Sequence, residues 1–596
     1  MKKTLYVLIA FFILMPYVIF GEEFASCIIL LCSSVYYTIL SKGHKVNKAV
    51  FISLLLIVAF AIFSLAFSYN YILSLGGLTI YLNAFIFYLI FSQNRDYKED
   101  ILKFIIHSLA AFALIFAVYQ GIIFNKRIYG NVGYANSYGF LLFIALVFTR
   151  LVKLNENYKM AVQTSLIFAI AYTGSRNTIF YVFVFILSFS IKAFKEKQLL
   201  SELLSGVLGG MFYMLCYKFG FGMFLLLPPV IYMAYILFNN KNTEIKNICI
   251  IFLTFIGILA FFTVSTNLLK RASNTSINSG VLQERFVYYE DAVKHIIKNP
   301  FGSGINTFEY KEYKEQSAFY DVRFIHNSLL QSAYDLGLQG MIAFLAFAAA
   351  GWYTILRKKD KNYSLVLCLY SAIYLHSLLD FDFSYAFSFI ILAMLSAFYG
   401  EGKFEIKFGV EIRYVLAAPV LLLSLYLSFV GFNNFLGSKA VEGGDLALSK
   451  KVFEINNKIS LKNPDIDTNL ANIYNIKYGK EKNKEYLDIC LSYLKEAEKK
   501  NPLDPRIKGN IAFVYEKLNN SKKAIEYYDK FIEIEPYYLD MYKKYYAYLN
   551  IQYAKTHDKE YADKLDQLVI YYNKSIKSLN PKAKYMNDQI GKPLTN

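Results

Sequence analysis

Gln283-Glu284-Arg285, then Pro300-Phe301-Gly302-Ser303-Gly304, then Arg323-Phe324-Ile325-His326-Asn327 mark out a polar segment that runs from Val264 to Asn327. Apolar sequence precedes it and returns at once after it. A bilayer core is about 30 Å thick and offers the backbone no water to bond, so a polar connection of this length must lie outside it. We read the segment as a hydrophilic cap at a membrane surface, large enough to hold a site.

Working outward, 56% of the 596 residues are apolar and mean hydropathy is positive. That balance excludes a soluble enzyme and a disordered chain. Charge is sparse before Phe432 and dense after it, which divides the chain into a membrane domain at 1–432 and a tail at 440–580. Spans are expected near 5–20, 24–40, 49–67, 71–91, 102–124, 134–152, 159–174, 176–193, 201–218, 221–238, 247–263, 329–356, 363–379, 384–400 and 412–432. The fold class that follows is all-α: a polytopic transmembrane bundle of about 12–15 spans. The weakest separations are Thr173-Gly174-Ser175 and Phe219-Gly220. Met1-Lys2-Lys3 before an apolar run mimics a signal peptide, but no small-residue cleavage site precedes Gly21-Glu22-Glu23. It is expected to be an uncleaved first helix.

With the N-terminus inside, Lys45 and Lys48, Arg150 and Lys153, Lys192 and Lys195, and Arg357 to Lys361 all fall on the cytoplasmic side. The opposite turns at Gly21-Glu22-Glu23, Ser68-Tyr69-Asn70, Gly174 and Gly220 nearly lack lysine. This positive-inside asymmetry places the cap and the tail outside, and it accounts for much of the net charge of +18. No basic soluble domain with base-stacking context points to nucleic acid. The six cysteines include no C-x-x-C pair and read as small buried apolar residues.

Four cationic groups on the expected outer side break that trend. Arg127 lies in Arg127-Ile128-Tyr129-Gly130-Asn131-Val132-Gly133-Tyr134-Ala135-Asn136, and Arg176 in Gly174-Ser175-Arg176-Asn177. Arg285 and His326 lie in the cap. A charge at a membrane boundary is costly unless it has a task or a partner. Outside the membrane neither ATP nor a nucleotide-sugar is at hand, so a group donor must arrive attached to a lipid. A lipid diphosphate suits this, since arginine forks onto phosphate oxygens and stays charged.

His326 is the candidate base, because an imidazole can take a proton from an attacking hydroxyl near neutral pH. Ser328-Leu329-Leu330-Gln331 fits a capping box that opens the next helix beside it. His376 and Asp380, four apart, are expected to share a helix face and support the site. Asp380-Phe381-Asp382 has a metal-binding form but sits at a membrane edge, so no metal and no cofactor are expected. Glu284 to Lys298 should be an amphipathic helix with Phe286, Val293 and Ile296/Ile297 as its apolar stripe, ended by Asn299-Pro300.

In the tail, Asn501-Pro502 and Glu535-Pro536 are 34 residues apart, with Gly509, Ala512, Tyr515, Leu518, Ala524 and Tyr527-Tyr528 between them. Asn463-Pro464 starts an earlier, longer copy and Asn580-Pro581 ends the array. This is similar to the tetratricopeptide pattern of paired helices. Such stacks form concave surfaces for a protein or glycan partner.

Taken in order, residues 126–400 resemble the O-antigen ligase and polymerase family of membrane glycosyltransferases. The resemblance rests on Arg127 to Asn136, Gly174-Ser175-Arg176, Arg285 with Pro300 to Gly304, and His326-Asn327-Ser328-Leu329-Leu330 with Leu336-Gly337-Leu338-Gln339-Gly340. It rests also on His376 to Asp380. It implies metal-independent transfer of a glycan from a polyprenyl diphosphate to an acceptor hydroxyl, with inversion. His326 would be the base, and Arg176 and Arg285 would hold the diphosphate. Arg127, Tyr134, Asn136, Asn327, His376 and Asp380 would contact substrate. The sequence departs from the family pattern at Asn177-Thr178. It also adds the tail, which lipopolysaccharide ligases generally lack and some protein-glycosylating relatives carry. The acceptor therefore stays open between glycan, lipid and protein. A polymerase of lipid-linked glycan, a transporter of such glycans and an assembly scaffold are the competing readings. The charges gather at one outer edge, whereas a transporter wants them at mid-membrane depth.

Overall fold

The structure, a computed structural model, describes residues 2–220 and 280–586 apart from 16, 42, 197–199, 312, 314 and 408, together with parts of 243–254. The expected span at 221–238, most of that at 247–263, the first part of the cap at 264–279, and Cys249 lie outside the described residues.

Helices dominate because the apolar runs are long and any other backbone would leave polar groups unbonded in lipid. In chain order they are α1 (Lys2–Leu14), α2 (Glu22–Leu40), α3 (Lys48–Ser64), α4 (Tyr71–Gln93), α5 (Lys98–Phe116) and α6 (Ala135–Phe148). Then come α7 (Glu156–Thr173), α8 (Arg176–Lys195), α9 (Ser201–Phe219), α10 (Gly280–Lys298) and α11 (Ser328–Lys358). The membrane part closes with α12 (Tyr363–Ser377), α13 (Ala386–Tyr399) and α14 (Val410–Glu442). Among the described residues seven helices are long and apolar enough to cross a membrane, and three shorter apolar ones pack among them. The chain is a multi-pass membrane protein. Gly174 ends α7 at φ +59° and Ser175 caps α8, so the weak Thr173-Gly174-Ser175 separation is a real helix break.

α4 shows how the two ends differ. Its first residue, Tyr71, donates its backbone N–H to Lys462 O of the tail (2.8 Å), while Gln93 at its far end bonds Leu40 O (3.1 Å). The lysine-rich turns gather at the Gln93 end, where strand β1 (His44–Val46) pairs antiparallel with β2 (Phe404–Ile406) and Lys98 meets Asp360 at 3.2 Å. Cap and tail share the Tyr71 end, where Arg323 of the cap forks onto Glu22 (2.9 Å) and Glu23.

α11 is broken at Gly337 (φ +80°). The break strips backbone groups of helical partners, and the Pro300–Gly304 turn supplies replacements. Ser303 N donates to Tyr334 O (2.9 Å), Gly304 N to Asp335 O (3.3 Å), and Leu338 N to Pro300 O (2.8 Å). A Cβ at Gly337 would lie 2.5 Å from Phe301 C, and one at Gly302 would lie 2.7 Å from Asp335 O. Only glycine permits this approach of backbone to backbone.

The α10 stripe is corrected. Val287, Tyr288, Ala292 and Ile296 are buried, whereas Val293 and Ile297 are exposed. The rest of the cap and part of the tail cover the face that the sequence alone leaves to water.

The tail begins directly after α14. It comprises α15 (Leu446–Ile459), α16 (Pro464–Glu481), α17 (Glu485–Lys500), α18 (Pro505–Lys517), α19 (Ser521–Ile534), α20 (Leu539–Thr556) and α21 (Lys559–Ser575). Neighbours pack in antiparallel order around a tyrosine-rich core that includes Tyr528, Tyr542, Tyr545 and Tyr572. Prolines 464 and 505 stand at the first turns of α16 and α18, where no N–H is needed.

Candidate functional site

The site forms where the last cap residues enter α11. Asn327 caps this helix, its Oδ1 accepting from Leu329 N and Leu330 N at 3.0 Å each. The N-cap therefore falls one residue before the expected Ser328, and no capping box forms. Ser328 Oγ donates to Asp380 O (3.1 Å), and Gln331 serves Ile325 N (2.9 Å) and Asp335 (3.0 Å). The side chain that served the cap motif on paper is drawn away because buried polar groups nearby need partners.

His326 precedes the cap with φ +55°, a left-handed conformation uncommon for a side-chain-bearing residue. Tyr289 of α10 donates to its carbonyl at 2.7 Å, and Phe381 packs edge-on to its ring at 4.7 Å. Nδ1 lies 3.3 Å from Asp380 Oδ1; the histidine side chain is 17% exposed and the aspartate 0%. With Nδ1 turned to the Asp380 carboxylate, Nε2 is the nitrogen left to accept a proton.

Asp380 gathers most of the sequence-predicted residues. Its Oδ2 accepts from Asn136 Nδ2 (3.0 Å) and Tyr134 OH (3.3 Å), and its Oδ1 from Phe381 N (3.0 Å). Asn136 in turn accepts from Arg127 (3.2 Å), whose Nε is bound to Thr173 O at 2.7 Å. Arg285 Nη1 donates to the carbonyl of Leu379, next to Asp380. Burial alone would push the Asp380 carboxyl up. The hydrogen bond and charge of His326, with the charges of Arg285 and His376, outweigh it and hold Asp380 below the usual carboxylate range. Arg176 opens α8, three residues past the carbonyl that Arg127 holds. Its side chain is exposed and bonds to none of the described residues.

Two expectations change here. α12 ends at Ser377, so the spacing of His376 and Asp380 no longer follows a helix face. His376 Nδ1 pairs instead with Asp382 Oδ2 at 2.5 Å, and its ring stacks on Phe140 at 4.0 Å. Ser137 Oγ donates to the other oxygen of Asp382 (2.8 Å). His376 and Asp380 are both fully buried. Asp382, Ser137 and Tyr289 were missed by sequence reasoning. Asp382 alone carried a signal, in Asp380-Phe381-Asp382, and it was weighed only as a metal ligand.

Behind the site His295 joins α10 to the Pro300–Gly304 turn through Ser303 Oγ (2.7 Å) and stacks on Tyr334 at 4.4 Å. Burial lowers its imidazole to about 4, so it stands neutral.

Residues 161–345 match the family model for the O-antigen ligases. The chain carries an O-antigen ligase family domain. The match spans the break at Gly174, Arg176, Arg285, His326 and the kink at Gly337. Comparison with curated proteins finds no match. The ligase family assigns a membrane glycosyltransferase of the ligase or polymerase type, working on a lipid-linked glycan donor in a bilayer.

Proposed function

We propose that this ligase domain transfers a glycan from a polyprenyl-diphosphate carrier to an acceptor hydroxyl on the outer side of the cytoplasmic membrane. Arg285 and Arg176 hold the diphosphate, and Arg127, bound to Thr173 O close to Arg176, adds a third guanidinium for the substrate. His326 Nε2 takes the proton from the acceptor hydroxyl as its oxygen attacks the anomeric carbon. The bond to the diphosphate oxygen breaks, polyprenyl diphosphate leaves with the electron pair, and the proton stays on His326. A single displacement inverts the anomeric centre. Asp380 fixes the tautomer and faces the imidazolium that forms, while Tyr134 and Asn136 hold Asp380. His376 with Asp382 and Ser137 anchors the turn that carries it.

One observation carries this reading: a part-exposed histidine within the ligase-matching residues, backed by the fully buried Asp380, with Arg285 bound to the carbonyl beside that aspartate. The tail is proposed as a tetratricopeptide-like array that binds a protein or glycan partner.

The test uses purified protein in vesicles with a polyprenyl-diphosphate glycan and candidate acceptors. Acceptor-dependent release of free polyprenyl diphosphate supports the reading, and its loss in His326→Ala assigns the base. Unchanged release in that variant removes His326 from the mechanism. In a deletion strain, full-length unattached glycan marks a ligase and shortened chains a polymerase.

A further inference from the structure

The helix that carries Arg285 has a second support far along the chain. The segment 576–586 leaves the last tail helix and returns to α10. Asn580 N donates to Ser317 O at 2.8 Å, and Asn580 Nδ2 donates to Glu290 Oε2 (2.9 Å) and Ser317 Oγ (3.2 Å). Its Oδ1 accepts from Lys582 N (3.0 Å), which starts the short helix at Pro581–Tyr585. Ala583 is fully exposed to none of the solvent: it is buried in the apolar cluster of Val287, Tyr288, Ala292 and Ile296 on α10. Lys582 pairs with Glu290 and stands 5.8 Å from the ring of Phe286, the neighbour of Arg285.

Other tail contacts fall elsewhere. Asp465 receives Tyr310 OH (2.7 Å) and Asn70 Nδ2 (2.8 Å), Arg506 pairs with Glu309 (3.0 Å), and Tyr538 stacks on Phe319 (4.4 Å). These anchor the tail without touching α10. The Lys582–Glu290 pair is itself too exposed to hold a helix, so the weight falls on Asn580 and the burial of Ala583.

We propose that residues 576–586, through Asn580 and Ala583, position Arg285 for the donor diphosphate, making the tail a working part of the donor site as well as a binding surface. The proposal rests on the reading of Arg285 given above. Asn580 is a positioning residue, because it acts on the diphosphate through α10.

The experiment uses the full chain in vesicles and compares Asn580→Ala and Lys582→Glu with the parent. In Asn580→Ala the donor KM should rise about tenfold with kcat within about twofold of the parent, the mark of lost donor binding. Amide exchange across 280–298 should quicken while that across 505–575 stays unchanged. Lys582→Glu, which sets a like charge against Glu290, should show a smaller loss of the same kind. Unchanged exchange across 280–298 in Asn580→Ala overturns the tether. Quickened exchange with an unchanged donor KM overturns the positioning of Arg285. If the parent protein transfers no glycan, the function reading fails, and the exchange result still decides the tether by itself.

Discussion

Replacing Asp380 by Asn tests the centre of the site. The substitution keeps shape and removes a charge from a fully buried position. Oδ1 faces His326 and Phe381 N–H, while Oδ2 faces Tyr134 OH and Asn136 NH2. The new amide nitrogen must turn a donor toward one of these pairs. The tyrosine hydroxyl can rotate away, so nitrogen toward Asn136 is the less costly choice, and the carbonyl oxygen still meets His326. What disappears is the charge opposite the imidazolium formed during transfer. At 3.3 Å, an effective dielectric of about 20 gives an attraction of about 5 kcal/mol, the upper bound of the effect. Solvent reaching the part-exposed ring reduces this to about 3–4 kcal/mol, so kcat should fall about 10²- to 10³-fold. The donor KM should move little, because the arginines are untouched. The assay is acceptor-dependent release of polyprenyl diphosphate, with melting of the purified variant to establish that it folds. A folded Asp380→Asn protein with kcat within about threefold of the parent refutes the pairing of Asp380 with a catalytic imidazole.

Arg285→Lys keeps the charge and loses the planar fork, so the donor KM should rise about tenfold or more in the same assay with kcat less affected. Gly337→Ala forces a side chain into a left-handed backbone against Phe301 and Pro300; it should destabilise the protein by about 3 kcal/mol or more, read as a fall in melting temperature and in folded yield. Glu535 of the tail is buried, accepts one bond from Tyr537 N (3.2 Å), and lies near Asp321. Burial first, and Asp321 second, raise its carboxyl to about 8. Its folded form thus prefers the proton: stability is full below the ordinary carboxylate range and is lost as pH rises through about 8. Limited proteolysis of the tail should accelerate between pH 6 and pH 9, and Glu535→Gln should flatten that rise; equal pH dependence in both proteins would contradict it.

The membrane helices were legible because apolar runs and lysine sorting obey the bilayer locally, and the break at Gly174 was visible as a glycine between two spans. The Pro300–Gly304 and Leu336–Gly340 motifs were both picked out, but not their contact, which depends on a kink that no local pattern encodes. The shift of the α11 cap from Ser328 to Asn327 follows from Asp380, some fifty residues further on, taking the serine hydroxyl. His376 was placed with Asp380 by helical spacing, and the early end of α12 gave it Asp382 instead. The buried face of α10 could not be read from its own periodicity, because its cover comes partly from the tail.

That cover has a consequence for how the protein matures. Asn580 meets Glu290 although the two stand 290 positions apart in the chain. During synthesis the arginine-bearing helix is made hundreds of residues before the segment that completes its surroundings. Until then the part of its apolar side that Ala583 covers stands bare, and closing so distant a loop is slow compared with forming the helix itself. On the proposed role of Arg285, competence for transfer would thus arrive late, once the last tail segment has docked on its helix.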